Sequence, residues 1–412
     1  MNKTRQDLLA IFQAGLDAVA GKAVVSEEIK KISYPKNFHV IAIGKASDAM
    51  LQGIPKERII SALLISKHGH ISTKSNSATH IQCLESDHPI PKESSLKAGQ
   101  ALINYLKELP DNEPCVFLIS GGTSALVEVL EDDWSLLELS ELTNYLLANA
   151  YPIDQINAVR KQLSKIKGGS LWNYMGDRPV SCLMISDVPN DKPTDIGSGL
   201  LFSEINNSSS LLSDVVDLSK IPAKWVNKLS PEKNHVTPAD FQWKIIASLS
   251  KAKQACALQA KDLGYEVKEV PDFLEGEASE AAKNCVLQMR KEPNTLFIWG
   301  GETTVHLPKK PGKGGRNQHL ALAGAIAMDN KEGMCLLVAG TDGTDGMTTA
   351  TGALVDGDTV EEGEQLGLNA KNYLAQADSN TFFTQTNELI ITGATGTNVM
   401  DLVLGIYSPK KI

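Results

Sequence analysis

The sequence predicts an α/β protein of two domains with mainly parallel sheets. Short apolar runs with the length of strands alternate with helical segments in both halves of the chain, which is typical of βαβ units. Several of these runs end in Gly-rich polar turns, so ligand-binding loops are expected at the carboxyl ends of strands. A polar stretch with three prolines, 204–240, separates the halves and marks a domain boundary. The predicted domains are therefore 1–235 and 236–412.

The composition is that of an ordinary globular protein. The 412 residues are 42% apolar and 22% charged, which is ample for a large core. A net charge of -9 argues against a nucleic-acid or anionic-membrane role, because both need a basic face. The six cysteines are scattered without a Cys-x-x-Cys pair, which favours the cytoplasm over a disulfide framework or zinc site. No apolar run reaches the length of a membrane span.

Two strands of the first half end in candidate anion-binding turns. The strand 39–43 ends at Gly44 and Lys45, where a helix begins. A helix N-terminus favours an anion, although Lys45 alone is better explained as a solvated lysine at a loop tip. The strand 115–119 ends in the best anion nest of this half, formed by Ser120, Gly121, Gly122, Thr123 and Ser124. Ser124 is not expected to be a nucleophile, because the Gly-x-Ser-x-Gly pattern is absent.

Two further segments of the first half carry charged candidates. A basic amphipathic segment contains Arg160 and Lys167 and ends in a glycine pair. A charged helix face is usually solvated, and the alternative is that these two cations bind an acidic substrate. Asp187 follows the strand 182–185, at the position where open α/β sheets place ligands. Capping of a turn explains Asp187 equally well.

The stretch from Leu296 to Gly346 combines three ingredients of phosphate chemistry. Its two strands, 296–299 and 335–339, each end in a Gly-rich polar turn, and a basic loop lies between them. Glycines let backbone N–H groups approach an anion, and Arg316 of the basic loop offers a planar fork for phosphate oxygens. Asp342 and Asp345 of the second turn offer oxygen ligands for Mg²⁺. Each Gly-rich turn, taken alone, is as often only a turn.

Neither standard nucleotide-binding motif is present. Gly-x-x-x-x-Gly-Lys-Ser/Thr fails at Gly44, because His39 and Ala46 occupy required positions. The segment 312–317 comes nearest to Gly-x-Gly-x-x-Gly, but Asn317 stands at the third glycine. The pattern alone therefore predicts a two-domain α/β protein with an anion-binding cleft between its domains.

Eight sequence blocks occur in a characteristic order. They are Ile43-Gly44-Lys45-Ala46-Ser47, the turn from Ser120 to Ala125, Val159-Arg160-Lys161 with Lys167-Gly168-Gly169, Ser186-Asp187-Val188-Pro189, Gly300-Gly301-Glu302-Thr303-Thr304-Val305, Gly314-Gly315-Arg316-Asn317-Gln318, Thr341-Asp342-Gly343 with Asp345-Gly346, and Thr395-Gly396-Thr397-Asn398-Val399 with Asp401. In this order they resemble the glycerate 2-kinase (MOFRL) family, and the resemblance covers nearly the whole chain.

The resemblance implies ATP-dependent phosphorylation of D-glycerate at its 2-hydroxyl with Mg²⁺, giving 2-phosphoglycerate and ADP. It also implies a Rossmann-like first domain, a smaller α/β second domain and an active site in the interdomain cleft. The expected partners are glycerate and ATP, with neither nucleic acid nor membrane, and a homodimer is left open. Phosphoryl transfer needs positioning and charge neutralisation more than covalent help, which suits the charged residues of these blocks.

The same resemblance implies roles for individual residues. Lys45 and Arg316 would stabilise the transferring phosphoryl group, and Asp187 would contact the metal or the substrate hydroxyl. Arg160 would pair with the glycerate carboxylate. Substrate and phosphate oxygens would be held by Ser120, Gly121, Gly122, Thr123, Ser124, Gly301, Thr303 and Asn317. The candidates for binding Mg²⁺ or fixing the loops are Glu302, Asp342 and Asp345.

Five positions depart from the usual family pattern, namely Thr123, Asn190, Leu200, His319 and Met347. Because the charged residues are retained, phosphoryl transfer remains the expected reaction, with a related small hydroxy acid as an alternative acceptor. A hydroxypyruvate reductase is a second alternative, against which the missing dinucleotide motif argues. A non-catalytic anion-binding protein is the third.

Overall fold

The chain forms two compact units, each built on one six-stranded sheet. This computed structural model describes residues 3–31, 36–149, 151–203, 212–229, 237–238, 241–328 and 330–409. The continuous unit is Val25–Ile246, and the discontinuous unit combines Met1–Val24 with Ala247–Ile412. The predicted α/β class and two-domain organisation are confirmed. The predicted boundary between residues 235 and 236 lies outside the described residues, and the two units divide after Ile246.

Two helices precede the first strand, α1 (Lys3–Ala18) and α2 (Gly21–Glu28). The apolar residues of α1 recur at helical spacing and are buried, as expected for an amphipathic helix. The predicted first domain, 1–235, includes this helix, whereas its contacts within the structure place it in the discontinuous unit. The reason is long-range contact, since Arg5 donates hydrogen bonds to Asp356 (2.6 Å) and to the carbonyl of Leu354 (2.7 Å).

The sheet of the continuous unit has the order β3-β2-β1-β4-β5-β6. Its pairings from β3 to β5 are parallel, so the carboxyl ends of β1, β4 and β5 lie side by side. The strands are β1 (Phe38–Ile43), β2 (Ile59–Lys67), β3 (Ile81–Ser86), β4 (Cys115–Ile119), β5 (Val180–Ile185) and β6 (Gln242–Ala247). The helices are α3 (Ser47–Leu51), α4 (Thr73–Asn76), α5 (Glu93–Glu108), α6 (Thr123–Leu126), α7 (Leu136–Ala148), α8 (Ile153–Gln162), α9 (Leu212–Val215) and α10 (Ala223–Val226).

Strand β6 corrects one expectation. The predicted second domain, 236–412, begins with this strand, whereas in the structure it completes the first sheet next to β5. Aromatic packing explains its position, because Phe241 contacts Trp172 and Phe202 with ring centroids 5.0 and 5.4 Å apart. Trp243 packs against Phe202 in the same cluster. The change in composition therefore precedes the last strand of the sheet instead of marking its end.

The sheet of the discontinuous unit has the order β11-β10-β9-β12-β8-β7. Its strands are β7 (Glu266–Leu274), β8 (Thr295–Gly301), β9 (Met334–Gly340), β10 (Gly352–Asp356), β11 (Leu389–Ile390) and β12 (Asp401–Tyr407). Its helices after α1 are α11 (Leu249–Asp262), α12 (Ala278–Lys291), α13 (Arg316–Met328), α14 (Thr359–Gln365), α15 (Ala370–Ala375) and α16 (Ser379–Thr386).

This second sheet is mixed, which corrects the prediction of a mainly parallel sheet. Only β7 and β8 pair in parallel, and the other four pairings are antiparallel. The predicted β8–α13–β9 unit does form, with β8 and β9 running in the same direction. They are separated by β12, which pairs antiparallel with both. The last strand of the chain inserts between them, and local alternation of strands and helices gives no signal for such an insertion.

No single helix in the described part of the chain is long and apolar enough to cross a membrane, and only the bent pair α1 and α2 satisfies the length and composition test.

Candidate functional site

The turns after β1 and β4 are joined into one structure. Gly44 has φ +131°, and a side chain there would place its Cβ 2.1 Å from Ser120 Oγ, so only glycine allows this approach. The N–H of Lys45 donates to the carbonyl of Gly121 (2.8 Å), and the N–H of Ala46 donates to Ser120 Oγ (3.1 Å). These bonds fix Lys45 beside the nest. A Cβ at Gly122 would lie 3.3 Å from Lys45 Cγ.

The nest offers fewer hydroxyl groups than its sequence implies. Thr123 Oγ1 is buried and donates to the carbonyls of Ile43 (3.0 Å) and Ser120 (2.7 Å). Ser120 Oγ is committed to Ala46. In contrast, the N–H groups of Gly121 and Gly122 donate to no atom of the described residues. The nest therefore presents backbone N–H groups, and the Ser124 hydroxyl is the one of its three hydroxyls that contacts side chains outside the nest.

Arg160 lies at the Ser124 end of the nest. Its Nη2 atom donates to Ser124 Oγ (3.4 Å), which also hydrogen-bonds Ser198 Oγ (2.7 Å). Burial lowers the pKa of Arg160, and the charge of Glu128 partly opposes that effect. Within the described residues no carboxylate forms an ion pair with this guanidinium. The arrangement of one cation and two hydroxyls suits a small carboxylate or hydroxy acid.

A second cation of the same segment, Lys167, is fully buried. Lys167 Nζ donates to Glu128 Oε2, and both side chains are almost inaccessible to solvent. Burial lowers the pKa of Lys167, and the Glu128 carboxylate opposes the shift. The residues that follow Lys167 join the loop containing Ser198, because the N–H of Gly168 donates to the Ser198 carbonyl (3.1 Å). The residues of this site thus come from distant parts of the chain.

Asp187 lies just beyond the end of β5 and is half-buried. Because β5 pairs in parallel with β4, Asp187 lies on the same edge of the sheet as the nest. The following residues Asn190 and Asp191 have φ of 61° and 52°. Two consecutive left-handed residues that are not glycine cost backbone energy, so the loop after Asp187 has a demanding conformation.

Arg316 is the main cation of the candidate site in the discontinuous unit. Its Nε and Nη2 atoms donate to the two oxygens of Asp401 at 2.6 and 3.1 Å, and Nη1 lies 2.7 Å from Glu302 Oε1. Burial lowers the pKa of this guanidinium, but the charges of Asp401 and Glu302 outweigh it and raise the pKa above its usual value. Asp401 is only 6% exposed, whereas Glu302 is 47% exposed. Arg316 is therefore held by one buried carboxylate and one that is half-exposed.

Asp345 caps helix α13. Its carboxylate accepts hydrogen bonds from the N–H of Asn317 (3.1 Å), the N–H of Gln318 (2.8 Å) and Gln318 Nε2 (2.9 Å). Gly315 is required here, because its Cβ would lie 2.3 Å from Asp345 Cγ. Burial raises the pKa of Asp345 to about 6, although the N–H donors oppose the shift. A carboxylate with its oxygens so engaged has little capacity left for a metal ion.

The other predicted site residues of this unit differ in burial and in hydrogen bonding. Asp342 Oδ1 accepts a hydrogen bond from the N–H of Thr344 (3.0 Å) in a tight turn. Gly301 is explained by packing, since its Cβ would lie 2.1 Å from the Leu274 carbonyl oxygen. Thr303 and Asn317 are buried, and Asn317 Oδ1 is a buried oxygen without a hydrogen-bond partner. An orphaned buried acceptor of this kind invites a donor from a bound molecule.

Among the described residues, no group of three or more His, Cys, Asp or Glu side chains is arranged to hold a metal ion. This arrangement still fits Mg²⁺ delivered with a nucleotide, because Mg²⁺ commonly uses one or two carboxylates together with substrate phosphates. The carboxylates that could serve in this way are Asp342, whose Oδ1 accepts from Thr344, and Glu302, which pairs with Arg316, whereas Asp345 caps α13.

Four of the five departures from the family pattern have structural explanations. Thr123 joins two strand ends, and Leu200 is buried in the core of its unit. His319 is buried, and its Nε2 atom hydrogen-bonds Ser279 Oγ (3.1 Å). Asn190 adopts the left-handed conformation described above. Met347 is 96% exposed, and no contact in the structure explains it.

The structure also identifies residues that the sequence analysis left without a role. Asp401, Glu128 and Ser198 contact Arg316, Lys167 and Ser124 respectively. Asp401 lies in the last of the eight sequence blocks and Ser198 follows the fourth, so their positions in the sequence point to the site. Glu128 follows the nest by four residues, and its partner lies 39 residues further along the chain, so no local pattern identifies it.

Comparison with known proteins accounts for both units. Residues 7–229 match the family described as a domain of unknown function (DUF4147), and residues 295–401 match the MOFRL family. A D-glycerate 2-kinase from Thermotoga maritima is 32% identical over 97% of both chains. A protein from Agrobacterium vitis with the provisional name hydroxypyruvate reductase is 32% identical over 88% of this chain and 97% of its own.

A solved structure supports the same assignment. The crystal structure of the Thermotoga maritima glycerate kinase superposes with a TM-score of 0.85 at 31% identity, covering 99% of this chain and 100% of that one. The similarity therefore extends over both units and is not confined to a shared fold. The chain belongs to the glycerate 2-kinase (MOFRL) family.

Proposed function

We propose that the protein is an ATP-dependent kinase that phosphorylates D-glycerate at its 2-hydroxyl, giving 2-phosphoglycerate and ADP. The observation that carries this proposal is the full-length similarity to a D-glycerate 2-kinase, at 32% identity over 97% of both chains. The retained charged residues, Lys45, Arg160, Asp187 and Arg316, support it. Six free cysteines, five of them buried, suit a reducing cytoplasm as the working compartment.

In this proposal the continuous unit binds the acceptor. Arg160 pairs with the glycerate carboxylate, while the Ser124 and Ser198 hydroxyls hydrogen-bond its oxygens. The N–H groups of Gly121 and Gly122 and the ammonium of Lys45 face negatively charged oxygens. The 2-hydroxyl oxygen forms the new bond to the γ-phosphorus as the bond to the leaving ADP oxygen breaks. Asp187 accepts the hydroxyl proton, which keeps the acceptor oxygen nucleophilic.

The discontinuous unit contributes charge for the nucleotide phosphates. Arg316 is fixed on one side by Asp401, and its exposed contact to Glu302 can be replaced by phosphate oxygens. Asp342 is the proposed oxygen ligand for Mg²⁺, which would neutralise phosphate charge. Thr303 and the orphaned Asn317 Oδ1 are further polar contacts for the nucleotide.

Phosphorus NMR of the purified protein with Mg-ATP and D-glycerate tests the proposed reaction directly. We expect a 2-phosphoglycerate signal to grow as ATP falls, which reports both the reaction and its regiochemistry. The matched control is Lys45→Ala, purified in the same way, because a contaminating kinase would persist in that preparation. A signal at the 3-position, or intact ATP, would contradict the proposal, and a panel of other small hydroxy acids would follow.

A hydroxypyruvate reductase is the second candidate, favoured by the provisional name of the Agrobacterium vitis relative. Against it, no strand-to-helix turn of this chain carries the Gly-x-Gly-x-x-Gly motif. Incubation with hydroxypyruvate and NADH or NADPH separates the two activities. We expect no consumption of either reduced cofactor, and consumption would establish the reductase instead.

A further inference from the structure

A buried ion pair, Lys167 with Glu128, interacts electrostatically with Arg160. The side chains of Lys167 and Glu128 are 0% and 1% exposed. The remaining oxygen of the carboxylate, Oε1, accepts a hydrogen bond from the N–H of Val129 (3.1 Å). Such a pair is a weak source of stability, since apolar side chains of similar volume often serve as well. Its presence beside the candidate substrate site therefore calls for another explanation.

The three charges of this cluster influence one another. Burial lowers the pKa of Lys167, Glu128 opposes the shift, and Arg160 lowers it further. Glu128 likewise acts on the pKa of Arg160, against the larger effect of burial. Arg160 and Lys167 carry two positive charges and Glu128 one negative charge. The cluster as a whole is therefore left with one positive charge.

The charge of Glu128 acts on the pKa of both Arg160 and Lys167, but Lys167 is the cation in direct contact with it among the described residues. Lys167 holds Glu128 in direct contact, and Arg160 instead donates to the neutral hydroxyl of Ser124. If Lys167 lost its charge, the buried carboxylate of Glu128 would have Arg160 as its available counter-ion. An arginine paired with an internal carboxylate has less affinity for an external one.

We propose that Lys167 is a positioning residue that neutralises Glu128 and so reserves the charge of Arg160 for the carboxylate of the substrate. This inference rests on the proposed function, because D-glycerate is taken as the ligand of Arg160. It assigns Glu128 and Lys167 to substrate affinity, although neither side chain reaches the solvent.

The backbone links the pair to the same hydroxyl groups. The N–H groups of Gly168 and Gly169 donate to the carbonyls of Ser198 (3.1 Å) and Gly199 (2.7 Å). Ser198 Oγ in turn hydrogen-bonds Ser124 Oγ, the partner of Arg160. The position of Lys167 is thus transmitted to the two hydroxyls as well as to the charge of Arg160.

Three variants test the charge balance in steady-state kinetics, with separate KM values for D-glycerate and ATP. Lys167→Met removes the counter-ion and is expected to raise the KM for D-glycerate by about tenfold to a hundredfold, the range of one charge-assisted hydrogen bond. The KM for ATP should stay within about threefold, because the change concerns the acceptor side alone. The double variant Lys167→Met/Glu128→Gln restores the single positive charge, and its KM for D-glycerate should return to within about threefold of wild type.

Glu128→Gln alone changes the charge of the cluster in the opposite direction to Lys167→Met, because it removes the negative charge near Arg160. It is expected not to raise the KM for D-glycerate. A purely structural role predicts a different pattern. All three variants would then have a raised KM for both D-glycerate and ATP, and all three would have a lowered melting temperature. If Lys167→Met does not fold, the double variant Lys167→Met/Glu128→Gln provides the test. A KM for D-glycerate raised about tenfold in that variant would overturn the inference. Wild-type protein without kinase activity would refute the proposed function, whereas normal wild-type kinetics with a normal Lys167→Met KM would refute this inference alone.

Discussion

Each unit presents one arginine with a proposed role in substrate binding, and the two arginines are held in opposite ways. Arg316 in the discontinuous unit lies between the carboxylates of Asp401 and Glu302, which raise its pKa against the effect of burial. Arg160 in the continuous unit contacts the hydroxyl of Ser124, and burial lowers its pKa. The nearby carboxylate of Glu128 is bound instead by Lys167.

The difference suits the two arginines to different ligands, Arg316 to a polyphosphate and Arg160 to a single carboxylate. A guanidinium held by a buried carboxylate is fixed in position but has part of its charge neutralised locally. Such a group suits polyphosphate, whose several negative charges can displace an exposed partner like Glu302. A guanidinium that contacts a neutral hydroxyl keeps its full charge for a ligand with a single carboxylate. The comparison predicts that replacing the two arginines will have different consequences for stability and for substrate affinity.

The largest expected effect is on turnover. Arg316→Ala should lower kcat by about a hundredfold to a thousandfold, as for loss of one group that stabilises transition-state charge. It should also lower the melting temperature, because Asp401 is left buried without its cation. Lys45→Ala should lower kcat by a similar factor with a smaller change in melting temperature. Steady-state kinetics and scanning calorimetry on the same preparations measure both quantities.

Arg316→Lys is the matched control for the arginine, since it keeps the positive charge and loses the two-pronged contact with Asp401. It should recover part of the stability and little of the turnover. Near-normal turnover in both Lys45→Ala and Arg316→Ala would show that neither residue acts on the phosphoryl group. The proposed division between the two arginines would then fail.

The sequence was informative where function depends on neighbouring residues. The turn at Lys45 and the Ser120–Ser124 nest were each visible at the end of an apolar run, whereas the parallel pairing that brings them together is seen in the structure. The turn at Asp342 and Asp345 was likewise visible from its glycines. The residue types did not predict whether a polar side chain binds a ligand or the protein itself. Thr123 and Asp345 form internal hydrogen bonds.

Contacts between distant segments were out of reach for sequence reasoning. Arg316 and Asp401 are 85 residues apart, and they meet because β12 inserts between β8 and β9. Arg5 and Asp356 are 351 residues apart, and this contact helps to place α1 in the discontinuous unit. Local periodicity reports which face of an element is buried but contains no information about which distant element covers it.

A smaller effect concerns the pH dependence of stability. The pKa of Asp345 is raised from 3.8 to about 6 by burial. The folded state therefore binds this proton more tightly than the unfolded state, so the stabilisation is complete below about pH 4 and is lost as the pH rises through about 6. Since one pKa unit corresponds to about 1.4 kcal/mol, the loss is about 3 kcal/mol. Asp345→Asn should flatten this slope in urea unfolding between pH 4 and pH 7.

Glu388→Gln provides the control for that experiment. Burial also raises the pKa of Glu388, to about 7, so this group contributes a slope of the same sign at slightly higher pH. The two variants should remove separate parts of the slope, with the Asp345 part at the lower pH. An unchanged slope in Asp345→Asn would mean that its carboxylate stays ionised throughout, with the N–H donors of α13 outweighing the effect of burial.

The smallest expected effect distinguishes internal from ligand-binding hydroxyls in the nest. Thr123→Ser keeps the bonds to the carbonyls of Ile43 and Ser120 and loses one methyl group, so it should cost about 1 kcal/mol and leave the KM values unchanged. Thr123→Val keeps the shape but leaves buried carbonyls short of a donor, at a cost of about 1–3 kcal/mol. If the hydroxyl instead held a substrate oxygen, Thr123→Val would raise a KM with little change in stability. Urea unfolding and steady-state kinetics on the pair therefore decide whether the nest binds anions through Ser124 and its backbone N–H groups alone.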